Sequence, residues 1–322
     1  MKTSATTDTT LPVPLSVPKK TRLYRISRDL RMNKYLYIMI IPVMAYYFIF
    51  EYGPMYGVII AFKNFSPMKG ILGSDWVGLQ FFRDFFTSMY AWRTIKNTFL
   101  ISLYSLLFSF PAPIILALLL NEVKNRLFKR TVQTISYMPH FISLIVVCGL
   151  VVDFTQKNGL INDILYFFTG ERILFLQKPE WYRTIHIASG IWQQVGWSSI
   201  LYLAALAGID TEQYEAANMD GANRWQQMLH ITLPGITPTI VILFILNIGQ
   251  MMNVGYEKVL LLYNPLTYST ADVISTYVYR AGLQNFNYGY STAVGLFNAL
   301  INLTLIISAN YLSRKVNDTS LW

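Results

Sequence analysis

Six runs of roughly twenty mostly apolar residues, near 36–60, 97–120, 132–155, 184–207, 236–262 and 291–312, dominate the chain. Each is about as long as a helix must be to cross some 30 Å of hydrocarbon. Lipid offers the backbone no water to bond to, so each run must satisfy its own N–H and C=O groups as helix. The expected fold is therefore all-α and integral to a membrane, with six transmembrane helices. Composition agrees, since 53% hydrophobic and 13% charged residues over 322 positions are too apolar and charge-poor for an ordinary soluble domain. Pro42, Gly53 and Pro54 fall within or beside the first run, whose second half is expected to bend or follow the interface.

A net charge of +9 raises the question of nucleic acid, but the basic residues flank apolar runs and form no basic helix or aromatic platform, which excludes that partner and leaves membrane lipids. Residues 1–34 read as a disordered, cytoplasmic, basic lead-in: Met1 to Pro18 is rich in Thr, Ser and Pro, and Lys19, Lys20, Arg22, Arg25, Arg28, Arg31 and Lys34 follow. Lys124, Arg126, Lys129 and Arg130 mark the connection between the second and third runs as cytoplasmic too. Six crossings then return the C-terminus, with a tail at 316–322, to the cytoplasm and leave 35–315 as the membrane domain. The aromatic-rich stretches 63–94 and 156–183 are expected outside, as interfacial helices.

Little in the chain speaks for catalysis. Cys148 lies in an apolar run and reads as a small core hydrophobe. His140, His186 and His230 lack metal-ligand spacing, and HExxH, CxxC, GxSxG and the phosphate loop GxxxxGK[ST] do not occur. No cofactor or metal is expected on this chain.

The polar stretch 208–235 between the fourth and fifth runs is cytoplasmic by this count. Asp210 and Gln213 fit a capping box, Asp220-Gly221 fits a sharp turn, and Trp225, Met228, Leu229 and Thr232 share a face of a second helix that Pro234 is expected to stop. A helix, a tight turn and a helix anchored between two spans would transmit displacement as a rigid lever.

In that stretch Glu215, Ala216, Ala217, Gly221, Ile231, Leu233 and Pro234 meet every position of Glu-Ala-Ala, three residues, Gly, nine residues, Ile, one residue, Leu-Pro. The pattern resembles the EAA coupling loop of permease subunits of ATP-binding-cassette importers. Further stretches, among them Ser136-Tyr-Met-Pro-His-Phe-Ile-Ser143, Leu261-Leu-Tyr-Asn-Pro265 and Ala293-Val-Gly-Leu-Phe297, resemble the carbohydrate branch of these permeases, particularly the complex-oligosaccharide and alginate-type group, over about residues 35–315. The resemblance implies the compact six-helix type I importer permease fold, in a bacterial cytoplasmic (inner) membrane, importing a sugar by alternating access. It implies four partners: an ATP-binding-cassette ATPase dimer that uses the ATP and Mg, a second permease subunit, commonly a different chain, an extracytoplasmic sugar-binding protein, and lipid. It assigns ATPase coupling to Glu215, Ala216, Ala217, Asp220, Gly221, Ala222, Ile231, Leu233 and Pro234.

A sugar pathway needs inward hydrogen-bonding groups. Trp192, Gln193 and Trp197 on the fourth run, and Asn247, Gln250, Asn253 and Tyr256 on the fifth, are the candidates. The bland alternative is that such amides join helices. It weighs evenly for Asn247, Gln250 and Gln193 and is favoured for Asn298 and Asn302. No Lys or Arg lies mid-span, so an acidic sugar is not legible here. A permease for a non-sugar solute is an alternative. An ion-coupled secondary transporter is another, weakened because Glu51, Asp153 and Glu257 lie near run ends.

Overall fold

The computed structural model describes residues 29–317, so most of the expected disordered lead-in over 1–34 and most of the tail at 316–322 lie outside the described residues, while residues 29–34, expected to be disordered, are largely helical. The chain divides into two compact units, Met1–Gly57 and Val58–Trp322.

In the first unit the helix Lys34–Tyr46 buries no residue and presents apolar side chains on every side. Such a surface is stable only in lipid or against another protein. Its start is tied by Asp29, whose carboxylate accepts from the Asn33 amide and the Tyr37 hydroxyl, both at 2.6 Å.

Five stretches of the described chain are long and apolar enough to span a membrane: Lys34–Phe62, Met89–Glu122, Leu144–Thr169, Arg224–Gly249 and Tyr288–Lys315. The run expected at 184–207 is also a long helix, Pro179–Ala207, of 29 residues. It is less apolar because its surroundings are protein: Tyr182, His186, Ser189, Gln193, Ser199 and Tyr202 are all buried. Gly196 allows the closest approach, since a Cβ there would lie 2.1 Å from the Ser136 carbonyl oxygen. Tyr202 and Leu206 pack with Ile114, Ala117 and Ile236 in one core cluster, and Tyr182 packs with Ile101, Cys148 and Val259 in another.

Prolines shape the spans without ending them. A single π-helical turn precedes Pro54 (Tyr47–Tyr52), Pro111 (Ser105–Ser109) and Pro234 (Met228–Thr232). Proline lacks a donor and its ring crowds the carbonyl four residues back, and the extra residue of a π turn relieves both problems. Hence Pro234 does not stop the second helix of the 208–235 stretch, contrary to the sequence expectation. Helical structure runs unbroken from Arg224 to Gly249.

Two expected runs are broken. The run at 132–155 divides into the amphipathic helix Arg126–Tyr137 and the apolar helix Leu144–Thr155, separated by a 3₁₀ turn holding Pro139 and started again by the Ser143 side-chain cap. The run at 236–262 breaks at 250–255, where Gly255 adopts φ +73° before the helix Tyr256–Leu262 begins.

The stretch 63–94 holds a two-residue antiparallel pair, Lys63–Asn64 with Asp75–Trp76, and the amphipathic helix Gln80–Thr87. Of the aromatics expected at the interface, Phe85, Phe175 and Tyr182 are core residues, whereas Trp76, Phe86 and Trp92 are exposed.

Candidate functional site

The 208–235 stretch folds as a braced helix pair. Asp210 caps the helix Thr211–Met219 by accepting from the Glu212 N–H at 3.0 Å, without the reciprocal Gln213 bond of a capping box. The helix ends where Gly221 takes φ +77°, a conformation that strains any residue with a Cβ. Ala222 then donates back to the Ala217 carbonyl at 2.9 Å. Asn223 and Gln226 form the capping box that restarts the chain, and this cap was not singled out from sequence.

Three side chains, Gln227, Tyr214 and Arg224, brace the pair. Gln227 bridges the turn, donating to Asn218 Oδ1 at 2.7 Å and the Ala222 carbonyl at 2.9 Å. The Tyr214 and Thr232 hydroxyls meet at 2.9 Å, fastening the first helix to the second. Arg224 pairs with Glu122, at the end of the helix Pro111–Glu122, at 3.3 Å. Sequence reasoning missed these because each joins residues that are neutral in local pattern.

Of the proposed coupling residues, Ala217, Asp220, Gly221, Ala222 and Ile231 line one hollow of about 330 Å³, shared with His230. Glu215 and Ala216 lie on the exposed outer face, and the Glu215 carboxylate has no hydrogen bond or ion pair among the described residues. Leu233 and Pro234 stand one helical segment further on, where the π turn joins the fifth span.

At the other end of that span lies a polar break. Asn247, Gln250 and Asn253 line a cavity of about 180 Å³ with Ser102, Ser105 and His186. The break survives in an apolar setting because other helices satisfy its backbone. Asn302 Oδ1 accepts from the Met252 N–H at 2.9 Å, and the Ser102 hydroxyl donates to the Met251 carbonyl. Gln250 accepts from the Asn253 amide at 2.8 Å, and Asn253 Oδ1 receives Asn298 and Asn302, each at 3.3 Å.

The remaining pathway candidates disperse. Trp197 stacks on His140 at 4.4 Å and lines a cavity of about 510 Å³ that Asn247 also reaches. Trp192 lines a separate apolar cavity with Phe154 and Trp181, and Tyr256 a third with Tyr279. Gln193 is buried, its amide 3.5 Å from the Ile142 carbonyl, where it joins two segments.

Beyond the break, Asp272 is fully buried and holds Arg280 through both oxygens at 2.7 and 2.8 Å and Arg93 at 2.9 Å. Burial alone would lower the Arg280 pKa, but its bonds to Asp272 and Tyr263 outweigh it and hold the group above its ordinary value. Asn97 joins this hub to the Pro179–Ala207 helix, donating to the Asp272 carbonyl at 3.1 Å and accepting from Arg183 at 2.9 Å.

Residues 109–318 match the family model described as "Binding-protein-dependent transport system inner membrane component". Among curated proteins the chain is 48% identical to protein LplB of Bacillus subtilis, covering 91% of this chain and 92% of that one. It is 47% identical to the polygalacturonan/rhamnogalacturonan transport system permease protein YteP of the same organism, covering 94% and 95%. Among solved structures, a chain of a bacterial ABC transporter involved in the import of the acidic polysaccharide alginate matches with a TM-score of 0.85 and 45% identity, over 91% of this chain and 99% of that one. A chain of the alginate transporter in complex with an alginate pentasaccharide-bound periplasmic protein matches with a TM-score of 0.86 and 44% identity.

Proposed function

The chain belongs to the family of binding-protein-dependent transport system inner membrane components, and on that premise we propose that it is the membrane-spanning permease subunit of an ATP-binding-cassette importer for oligosaccharides. The observation that carries this reading is the match over nine-tenths of its length to a chain of the alginate importer at 45% identity. The mechanism follows from one continuous helix. At 26 residues, Arg224–Gly249 is about 39 Å long, with the braced pair at one end and the polar break at the other.

In this reading Pro179–Ala207 is the fourth of six crossings, packed among other helices of the second unit, and both termini are cytoplasmic. Residues 35–315 form the permease domain, with 1–34 and 316–322 as cytoplasmic ends. Thr211–Met219 docks on a partner ATPase through its exposed face, with Glu215 as the polar contact and Ala216 and Ala217 permitting close approach. Asp220, Gly221 and Ala222 form the turn, and Ile231, Leu233 and Pro234 join the lever to the span. Nucleotide and Mg are handled by the partner, since this sequence has no phosphate loop. A second permease completes the pathway, and an extracytoplasmic binding protein delivers the sugar. Asn247, Gln250 and Asn253 line the pathway at the break, with Trp197 facing the adjoining cavity. Trp192, Gln193 and Tyr256 support its walls.

Purification from the native membrane in mild detergent tests the reading. The expected result is co-purification of a phosphate-loop ATPase and a second EAA-bearing permease, with oligosaccharide uptake in reconstituted vesicles that requires ATP and resists protonophore. Recovery of the chain alone, without ATPase activity even after crosslinking, would overturn it.

A further inference from the structure

Next to the break lies another cavity, of about 420 Å³, whose wall carries unsatisfied polar atoms. Ser275 and Asn298 both line it, and the Ser275 hydroxyl and Asn298 Oδ1 are buried with no hydrogen-bond partner among the described residues. Leaving such atoms unpaired is costly, so they call for an occupant that bonds to them. Only half of the Asn298 amide serves to join helices. Its Nδ2 donates to Asn253 Oδ1 at 3.3 Å, and its carbonyl oxygen is left over. Asn253 itself lines the cavity of about 180 Å³ at the break, so this amide pair stands between the two cavities.

The same wall offers aromatic surface and room. The rings of Tyr256 and Tyr279 stack at 5.9 Å with 27° between their planes, and both line the cavity. Gly295, inside the helix Tyr288–Asn317, lines it too, and a Cβ there would meet nothing within 4 Å. No neighbour requires glycine at a position where it weakens the helix, so what the missing side chain provides is space. No Lys, Arg, Asp or Glu lines the cavity. An ion would find no counter-charge there, and an acyl chain would leave Ser275 and Asn298 unpaired. A pyranose ring meets both demands, with C–H groups for the aromatic surface and hydroxyls that donate to Asn298 Oδ1 and exchange bonds with Ser275. The volume falls within the range of small-molecule sites.

We propose that the cavity bounded by Tyr279, Ser275, Gly295 and Asn298 is a second sugar subsite, which holds one pyranose unit of an oligosaccharide while an adjoining unit lies at the break. The inference rests on the oligosaccharide-permease reading above and adds to it a site and a mode of recognition, by ring face and hydroxyls and without regard to charge. A disaccharide held at the break gains nothing from the second subsite, whereas a tetrasaccharide engages both. The pair of cavities thereby favours longer chains.

The test measures kcat/KM for uptake of a uronate disaccharide and tetrasaccharide, each also in carboxyl-reduced form, by vesicles holding the assembled transporter with its delivery protein. One delivery protein serves every variant, so its own preference cancels when each tetrasaccharide-to-disaccharide ratio is divided by the wild-type ratio. Gly295→Leu, which fills the cavity, and Tyr279→Leu, which removes a stacking ring, should lower the ratio roughly five- to tenfold, and Ser275→Ala about threefold. The fall should be the same for the acidic and the reduced sugars. Tyr279→Phe and Gly295→Ala should stay near the wild-type ratio, as should Leu303→Ala, at an exposed position on the same helix. Should Tyr279→Leu fail to assemble, as judged by complex yield on size exclusion, Ser275→Ala and Gly295→Leu carry the test. An unchanged ratio in Gly295→Leu, equal loss of both chain lengths, or a fall confined to the acidic sugars would overturn this inference and leave the permease reading standing. Loss of the second permease from the Gly295→Leu complex would show the cavity to be covered by that subunit and would overturn it as well. Uptake of none of the four sugars by the wild type would overturn the oligosaccharide reading and this inference together.

Discussion

The helix Arg224–Gly249 is interrupted at both ends, and the two interruptions are built in opposite ways. At 220–223 the chain closes its own loose ends. Gly221 takes the left-handed turn, Asn223 and Gln226 cap the restart, and Gln227 crosses back to Asn218. At 250–255 the backbone depends on other helices, with Asn302 accepting from Met252 and Ser102 donating to Met251. The interruption at 220–223 stands on residues within a few positions of it. The one at 250–255 uses partners 50 and 149 residues away. A local break is a stable shape by itself, whereas a borrowed break is a joint whose shape depends on what the neighbouring helices do.

Four substitutions press on that contrast. Asn302→Leu should have the largest effect, since it orphans the Met252 N–H and removes a donor from Asn253 in an apolar setting. A loss of about 2–3 kcal/mol is expected, read as a lowered midpoint in thermal unfolding of the detergent-solubilised complex. Gly221→Val comes next. A Cβ there meets nothing within 4 Å, so the penalty is backbone strain alone, about 1–2 kcal/mol. In vesicles ATP hydrolysis should continue while transport falls, and coupled transport at the wild-type level would remove this turn from the mechanism. Asn223→Ala deletes a helix cap and should cost about 1 kcal/mol, with urea unfolding of the complex as the measurement. Tyr214→Phe removes a single hydroxyl contact to Thr232 and should cost about 0.5 kcal/mol, seen as faster amide exchange in Thr211–Met219. An order in which Asn223→Ala exceeds Asn302→Leu would reverse the distinction between local and borrowed breaks.

The same contrast explains what was legible in the sequence. The turn at Asp220-Gly221 was readable because its causes sit beside it, and most apolar runs were readable because lipid selects residue type along a continuous stretch. The helix Pro179–Ala207 was found, but its Gln, Ser and His residues make sense only once its neighbours are known. The breaks at 139–143 and 250–255 were hidden inside apolar runs whose periodicity carries no mark of a distant acceptor. Pro234 misled because a local rule, that proline ends a helix, was overridden by a π turn that no residue type announces. Likewise Lys258 was not singled out from the sequence, and only the packing brings it against the His186 carbonyl.

The hub at Asp272 also sets a clock. Its carboxylate meets Arg93 across 179 residues of sequence, an interval that takes roughly 9–36 s to synthesise at typical elongation rates of about 5–20 residues per second. Throughout that time the growing chain holds a guanidinium in its second apolar segment with no acid yet made to receive it. The hub is therefore among the last features to close during biogenesis, and a chain truncated before Asp272 leaves the ribosome unable to lock this end of the bundle at all.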